Sequence, residues 1–450
     1  MNPAPDSLDL PPGSHIHVVG VAGVGMSALA QLLLDLDFRV TGSDRFLDQG
    51  ESVPVLGQLE RAGVVLVPQD GRAVCPGSAC VVVSTAIEDD NPDLFAARSH
   101  SVGVVHRAAL LADLCSASRL VAVTGTAGKT TVTGMIGWLL ERCGMDPTVV
   151  NGGGVVNWLS PDRAASVRKG AGEWWVVEAD ESDRSLLSFR PDIAVITNAS
   201  KDHFPLEEVH GLFVRFADRC CGSILVGPGL SSIPGMERAE EVPGGVEAVE
   251  GGYSVAIGEG YASVPLAGKH NAANTGMALA VCRQLGCSDE QLAEHLGSFR
   301  GIERRLERVG ESNGAVVIDD YAHNPSKISA AWTAVAPSSG RVMGVWRPHG
   351  FSPLNLMFDE LVEAFVTVCQ KDDCLFLLPV FYAGGTAKGS PSSDEVARAL
   401  RARGVNVEVE ADFGGLERRL RDELGVGDTL LVMGARDPGL PRFARRMCGR

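Results

Sequence analysis

Short apolar runs alternate with amphipathic stretches along almost the whole chain. Residues 15–20 read as a β run. A glycine-rich turn follows, then an apolar helical stretch over 26–36. A second β run, 38–42, ends at Ser43-Asp44, and further strands are expected at 64–67 and 80–84. Residues 102–105 form another candidate, weakened by Gly103. Strand, helix and strand in this order predict a parallel sheet, because a crossover helix must return the chain to the starting edge.

The pattern restarts twice. After Ser116-Ala117-Ser118, residues 120–123 read as a strand, 125–131 as a phosphate loop and 131–143 as a helix. Strands recur at 174–177 and 193–197, and a helix at 271–285. The stretch 228–252, rich in Gly, Pro and Glu, reads as loop or a small excursion. After Phe299-Arg300-Gly301, strands are expected at 316–319, 342–346, 374–378, 405–409 and 429–433, with helices at 325–335 and 354–365. The economical reading is an α/β chain of three consecutive domains. These are a Rossmann-like N-terminal domain (1–117), a central P-loop ATPase domain with a mostly parallel sheet (118–300) and a Rossmann-like C-terminal domain (301–450).

Composition narrows the function classes. The 450 residues carry a formal net charge of -16, which argues against nucleic-acid binding, since that requires clustered Lys and Arg. The acidic, Pro-rich start has no apolar core, and no apolar run reaches the ~18 residues of a membrane span. A cytoplasmic protein is the expectation. The eleven cysteines include no C-x-x-C pair. Cys75/Cys80, Cys282/Cys287 and Cys369/Cys374 share a five-residue step, but without histidines at zinc-like spacing they read as reduced thiols.

The strongest chemical signal is Gly125-Thr126-Ala127-Gly128-Lys129-Thr130-Thr131 between a strand and a helix. Glycines let backbone N–H groups approach phosphate oxygens, and the helix N-terminus adds favourable partial charge. Lys129 would contact the β/γ-phosphates and the Thr130 hydroxyl would ligate Mg²⁺. A full Walker pattern wants glycine where Val123 stands, so the loop is a shortened variant. The cluster Glu178-Ala179-Asp180-Glu181-Ser182-Asp183 follows an apolar strand and can hold Mg²⁺ beside such a loop. Asp202-His203, after the next strand, could reach the same region. The first turn, Gly20-Val21-Ala22-Gly23-Val24-Gly25, with Asp44 at the end of the next strand, is a weaker nucleotide-binding arrangement. Two such loops make a two-nucleotide enzyme plausible, one nucleotide supplying energy and the other carrying substrate.

Several ordered pieces resemble the Mur ligases: VVGVAGVGMSALA with TGSD, VTGTAGKTT, EADESD, TNASKDH, GKHNAANTGMALA, FRGIERRLERVG, VIDDYAHNPSKI, RPHGFSPLNLMFDELVEAF and YAGGTAKG. Within that family the N-terminal segment is most similar to the UDP-N-acetylmuramate–L-alanine ligase branch, MurC. The resemblance implies an ATP-dependent ligase of peptidoglycan precursor synthesis. In it a UDP-N-acetylmuramate carboxylate takes the γ-phosphate of ATP, and an amino acid, L-alanine first, attacks the acyl phosphate.

It also implies roles by position. Gly125 to Thr131, His270, Asn271, Asn274, Arg305 and Asp320 serve ATP, while Thr130, Glu178 and His203 serve Mg²⁺. Lys129, His203 and Arg305 are the catalytic set. Gly20, Gly23, Gly25, Met26, Ser27 and Asp44 hold the UDP substrate, and Tyr321, His323, Asn324 and His349 lie in the amino-acid region. Arg305 could instead only pair with Glu303 or Glu307, and His323 could only cap a turn. A monomer or homodimer is expected.

The chain departs from that branch at Ala127, where the family usually has His, and at His323-Asn324-Pro325, where it has His-His-Pro. Gly350, Pro353 and Asn355 stand in a segment where the family has carboxylate-binding arginines, and the ending GARDPGLPRFARRM also differs. These changes keep open a recycling ligase that attaches a peptide, another divergent ligase, and a non-catalytic UDP-sugar-binding paralogue. A dinucleotide-dependent dehydrogenase would explain the first turn but leave the second phosphate loop without a role.

Overall fold

A computed structural model of the chain describes residues 8, 10–51, 53–200, 204–243, 246–249, 252–381 and 390–449. They fall into two compact units. One holds the described residues up to 248 together with 254–265 and 270–300, and the other holds 249, 252–253, 266–269 and the described residues from 301 onward.

The first unit contains two sheets. Strands β1 (His15–Val19), β2 (Arg39–Ser43), β3 (Val65–Val67), β4 (Ser78–Val83) and β5 (Gly103–His106) form a parallel sheet in the order β3-β2-β1-β4-β5. Strand β5 forms despite Gly103, which pairs with Cys80 of β4. The order reverses between β1 and β4, the crevice where α/β sheets bind ligands, and the glycine-rich turn leaves β1 at that point. The helix after the turn, Val24–Asp35, buries nearly every side chain from Met26 to Leu33.

The second sheet comprises β6 (Arg119–Thr124), β7 (Thr148–Val150), β8 (Val167–Arg168), β9 (Trp174–Glu178), β10 (Ile193–Ile196), β11 (Ser223–Val226) and β12 (Ala239–Glu241). Its order is β12-β11-β10-β6-β9-β7-β8, parallel except at β8. Central strand β6 is buried along 120–124 and apolar along 120–123, as a strand covered on both faces must be. The stretch read from sequence as loop or a small excursion, 228–252, supplies β12 and also β13 (Val246–Val249). The latter belongs to a small sheet with β14 (Gly252–Ile257) and β15 (Gly260–Ser263). The expected boundary at 117/118 lies between the helix Arg107–Leu114 and β6, where one sheet gives way to the next inside a single compact unit.

The second unit is a six-stranded sheet of β16 (Glu307–Ser312), β17 (Ala315–Asp320), β18 (Arg341–Trp346), β19 (Cys374–Leu377), β20 (Val407–Val409) and β21 (Asp428–Met433), ordered β16-β17-β21-β18-β19-β20. Only β16 is antiparallel. Helices Pro325–Val335, Phe358–Val368 and Ser393–Ala402 cover one face. Phe413–Glu423 and Gly439–Met447 cover the other, so the strands are buried from both sides. The single helix expected over 354–365 is two helices, Phe351–Leu356 and Phe358–Val368. Met357 leaves helical geometry at φ -108°, ψ 13°, which turns Leu361, Val362 and Phe365 into the core.

Candidate functional site

Three neighbouring parallel strands, β9, β6 and β10, end together, and the residues that follow them meet. After β6 the chain makes the turn 125–128 and enters the helix Lys129–Arg142. Gly125 has φ +134° and Gly128 φ +83°, conformations that side chains rarely adopt. Space excludes a side chain as well. A Cβ on Gly125 would collide with the Thr197 hydroxyl, and one on Gly128 with the Asn274 amide oxygen.

The residues after β10 hold the turn in shape. The Thr126 hydroxyl (2.7 Å) and the Ala127 N–H (3.0 Å) donate to Asn198 Oδ1, and Asn198 Nδ2 donates back to the Ala127 carbonyl at 2.8 Å. The Thr197 hydroxyl donates to the same carbonyl at 2.6 Å. Asn198 and Thr197 were not singled out in the sequence. The signal available was that TNAS follows a strand predicted beside the loop.

Lys129 is largely but not fully buried, and its Nζ donates to Glu181 Oε2 at 2.5 Å and to the Gly125 carbonyl at 2.9 Å. Asp180 Oδ1 lies 3.7 Å away. Burial alone would lower the lysine pKa, but the charges of Glu181, Glu178 and Asp180 outweigh it and hold the ammonium above its ordinary value. Burial raises the Glu181 carboxyl against the pull of Lys129. Asp180 is burdened by burial too, yet Lys129 and the Ser182 N–H bring it below the usual range. Sequence reasoning selected Glu178 from this acidic cluster, whereas Glu181 is the direct lysine partner.

Glu178 instead accepts from the Thr130 hydroxyl (Oε1, 3.2 Å) and the Gly152 N–H (Oε2, 2.8 Å). A hydroxyl and a carboxylate adjacent at a phosphate loop are hard oxygen donors, which suits Mg²⁺ completed by water and phosphate. His203 and Asp202 lie outside the described residues, as does the whole of YAGGTAKG. Among the described residues no group of three or more His, Cys, Asp or Glu forms a metal cluster. Asn274 abuts Gly128 and donates to Asn271 Oδ1 at 3.2 Å, while His270, on the same helix, is exposed.

At the first turn, Gly20 has φ +73°. Asp44 is buried, and its carboxylate accepts from the Ala22 N–H (2.8 Å) and the Phe46 N–H (3.0 Å), so it braces the turn. Gly23 and Gly25 border the start of the helix. Met26 and Ser27 point into the protein, and the Ser27 hydroxyl donates to the Val24 carbonyl. Arg107 crosses the helix start, its Nη1 only 2.7 Å from where a Gly25 Cβ would sit, and pairs with Asp183 at 3.4 Å. No sequence signal isolated Arg107, which follows β5, far from the glycines in the chain.

In the second unit Arg305 sits between two residues with left-handed backbone, Arg304 (φ +57°) and Leu306 (φ +49°). Arg304 pairs with the buried Asp319 at 3.3 Å. Asp320 accepts from the backbone N–H groups of Leu306 and Ala322, both at 2.8 Å, and so ties down the same loop. Burial pushes Asp319 up to about 7, with Arg304 opposing, and also raises Asp320. Neither carboxylate first considered for Arg305 takes it. Glu303 pairs with Arg445, and Glu307 accepts from the Arg304 N–H. The Arg305 guanidinium lies over the Tyr321 ring, 5.5 Å from its centroid. His323 Nδ1 lies 2.9 Å from the Tyr321 carbonyl, and the ring stands edge-on to His349 at 5.1 Å. Burial, together with Lys327, brings His323 down to about 4, so it is neutral near pH 7. Asn324 caps the helix Pro325–Val335 through the Lys327 N–H.

Known proteins are similar to this chain in sequence and in fold. Three family models match: "Mur ligase family, catalytic domain" over residues 15–119, "Mur ligase middle domain" over 123–211, and "Mur ligase, glutamate ligase domain" over 304–436. A UDP-N-acetylmuramate–L-alanine ligase of Gloeobacter violaceus is 36% identical, covering 95% of this chain and 95% of its own length. One from a Bradyrhizobium species is 35% identical over 93% and 94%. Among solved structures, a UDP-N-acetylmuramate-alanine ligase of Thermotoga maritima matches with a TM-score of 0.77 at 23% identity, over 97% of this chain and 98% of that one. A murein peptide ligase of Psychrobacter arcticus matches with a TM-score of 0.68 at 21% identity over the same shares.

Proposed function

The chain belongs to the Mur ligase family, and from that premise we propose that it joins L-alanine to the carboxylate of UDP-N-acetylmuramate at the expense of ATP. The observation that carries this reading is the phosphate loop. Two glycines that space and backbone geometry both demand precede a largely buried lysine and a threonine whose hydroxyl meets a carboxylate. The names of relatives aligned over nearly the whole chain support the substrate pair.

The residues suggest a division of labour. Backbone N–H groups at the start of the helix Lys129–Arg142 receive the triphosphate. Lys129 exchanges Glu181 for phosphate oxygens, which keeps its charge engaged before and after binding. Thr130 and Glu178 are the donors for Mg²⁺, which when bound neutralises charge between two anions that must approach one another. The substrate carboxylate attacks the γ-phosphate, and the amine of L-alanine displaces phosphate from the resulting acyl phosphate. The first turn, braced by Asp44 and crossed by Arg107, is assigned to the UDP diphosphate. Arg305, stacked on Tyr321 and without an ion pair among the described residues, is assigned to an anionic group of substrate. No helix among the described residues is long and apolar enough to cross a membrane, in keeping with a cytoplasmic enzyme.

The test is to incubate the protein with UDP-N-acetylmuramate, ATP, Mg²⁺ and L-alanine, following phosphate release and product mass. Release that depends on L-alanine, with the mass of the joined product, is expected. Gly350, Pro353 and Asn355 leave that segment without arginines and give a peptide acceptor a specific basis. Release only with a preformed peptide would replace L-alanine by that acceptor. No release with any amine would make the protein a binder of UDP-sugars.

A further inference from the structure

At the C-terminal edge of the second unit's sheet, three neighbouring strand ends lie in the order β17-β21-β18. The chain leaves β17 through Tyr321 and His323, and β18 through Arg347 and His349. Between them it leaves β21 through Gly434 to Asp437. This is the edge at which parallel α/β sheets receive ligands. The His323 and His349 rings stand 5.1 Å apart although their strands are not adjacent, so they meet across the end of β21.

Arg436 sits in that central loop, exposed between the buried Ala435 and Asp437. Its neighbours are fixed. The Arg347 N–H donates to the Met433 carbonyl at 3.2 Å, and a Cβ on Gly434 would lie 2.9 Å from the Arg347 carbonyl oxygen. Asp437 pairs with Arg347 at 2.6 Å and accepts from the Gly439 N–H at 2.7 Å. Arg436 itself holds a left-handed backbone, φ +62°, which residues with a side chain rarely adopt. Among the described residues its guanidinium has no ion pair, and the carboxylate beside it, Asp437, is taken. In a chain of net charge -16, a cation is kept here without an anion.

We propose that Arg436 binds the α-carboxylate of the incoming L-alanine and thereby selects amines that carry one. The proposal rests on the ligase reading. In that reaction an acyl phosphate meets an amino acid, which brings two anionic groups together. This edge presents two arginines without a carboxylate partner among the described residues, Arg305 and Arg436. Arg305 is held over the Tyr321 ring, whereas Arg436 is open to solvent at the end of the central strand. The segment after His349, residues 350–357, contains no Lys or Arg. The imidazoles add no positive charge near pH 7. His323 is brought down to about 4, burial lowers His349, and the Arg436 charge lowers it further. Anion recognition therefore falls to side chains that stay charged, and a guanidinium meets both carboxylate oxygens with parallel N–H groups. The fixed backbone on either side leaves little freedom to be lost on binding, which favours selectivity.

The experiment is steady-state kinetics of the full chain with ATP, Mg²⁺ and UDP-N-acetylmuramate. It compares L-alanine with L-alaninamide, which keeps the amine and lacks the carboxylate. Arg436→Gly is the main variant, since glycine accepts the left-handed backbone and the loop keeps its shape. Its KM for L-alanine should rise about tenfold or more, the scale of a hydrogen bond to a charged group, while KM for ATP and for UDP-N-acetylmuramate hold. The parent's preference for L-alanine over L-alaninamide should shrink by the same factor, and Arg436→Lys should recover part of both. An unchanged KM for L-alanine, a parallel rise of all three KM values, or an unchanged preference against the amide overturns the proposal. A parent protein that releases no phosphate with L-alanine refutes the ligase reading instead, before any variant is compared.

Discussion

Replacing Lys129 with methionine removes an ammonium in contact with two carboxylates, Glu181 and Asp180, while keeping most of the side-chain volume. Glu181 is the most exposed to the consequence, since its side chain is 3% accessible and its partner sits at 2.5 Å. Removing one member of a buried pair costs about 3–5 kcal/mol, because the other charge stays enclosed without compensation. Protonation offers the only relief. Burial already raises Glu181, and loss of Lys129 removes the charge that opposed the rise. A carboxyl whose folded pKa lies above its unfolded one holds its proton more tightly in the native state. Stability therefore falls as pH rises from the unfolded value through the folded one. Urea unfolding of the variant should show the full loss at pH 8, shrinking by roughly 1.4 kcal/mol per pH unit on descent below the raised pKa. Adding Glu181→Gln should return roughly half or more of the lost stability at pH 8, since the two sites are coupled. It should return none of the ligase activity. A Lys129→Met protein as stable as the parent at pH 8, or a loss indifferent to pH, would refute the electrostatic account of this site.

Three further outcomes follow from the geometry. Asn198→Ala removes the amide that fixes Thr126 and Ala127, each bond worth about 1 kcal/mol net, so KM for ATP should rise roughly tenfold with KM for UDP-N-acetylmuramate unchanged. A uniform change in both KM values would show that the amide does not act through the phosphate loop. Arg107→Gln should do the opposite. It should weaken UDP-N-acetylmuramate binding by about tenfold or more, the scale of a charged hydrogen bond, and spare ATP, as measured by titration with each ligand. Asp319, raised to about 7 from an unfolded value of 3.8, should make the second unit lose stability as pH rises from about 4 to 7 and then level off. Asp319→Asn should flatten that slope, and an unchanged slope in chemical denaturation would remove Asp319 as its cause.

Much of this was legible in the residues. The run Leu120–Val123 followed by GTAGKTT could be read because both strand burial and phosphate binding depend on local patterns, and β6 with its helix starts and stops within a few residues of expectation. Glu178, Lys129 and Thr130 share one neighbourhood because their strands are adjacent, a relation that alternating strands and helices imply. Partnerships made in three dimensions were less visible. Nothing in EADESD says that the fourth residue rather than the first should face Lys129, because that depends on how the chain turns after β9. Arg107 reaches Gly25 across 82 positions of sequence, a distance that no periodicity encodes. The antiparallel edge strand β16 was missed because ERVGES lacks the apolar character of a central strand, which an edge position does not require.

The two left-handed residues flanking Arg305 bear on how this enzyme could be altered. Non-glycine residues hold such angles at a cost of order 1–3 kcal/mol each, sustained here by Asp319, Asp320 and Glu307 gripping the loop from its own sheet. Glycine at 306 would relax that backbone, yet it would also give up a leucine side chain packed against the core of this sheet and loosen the main chain that aims the guanidinium. The side chain that bears the strain is thus also one that pays into the core, and a laboratory selection for heat resistance would have little reason to remove it.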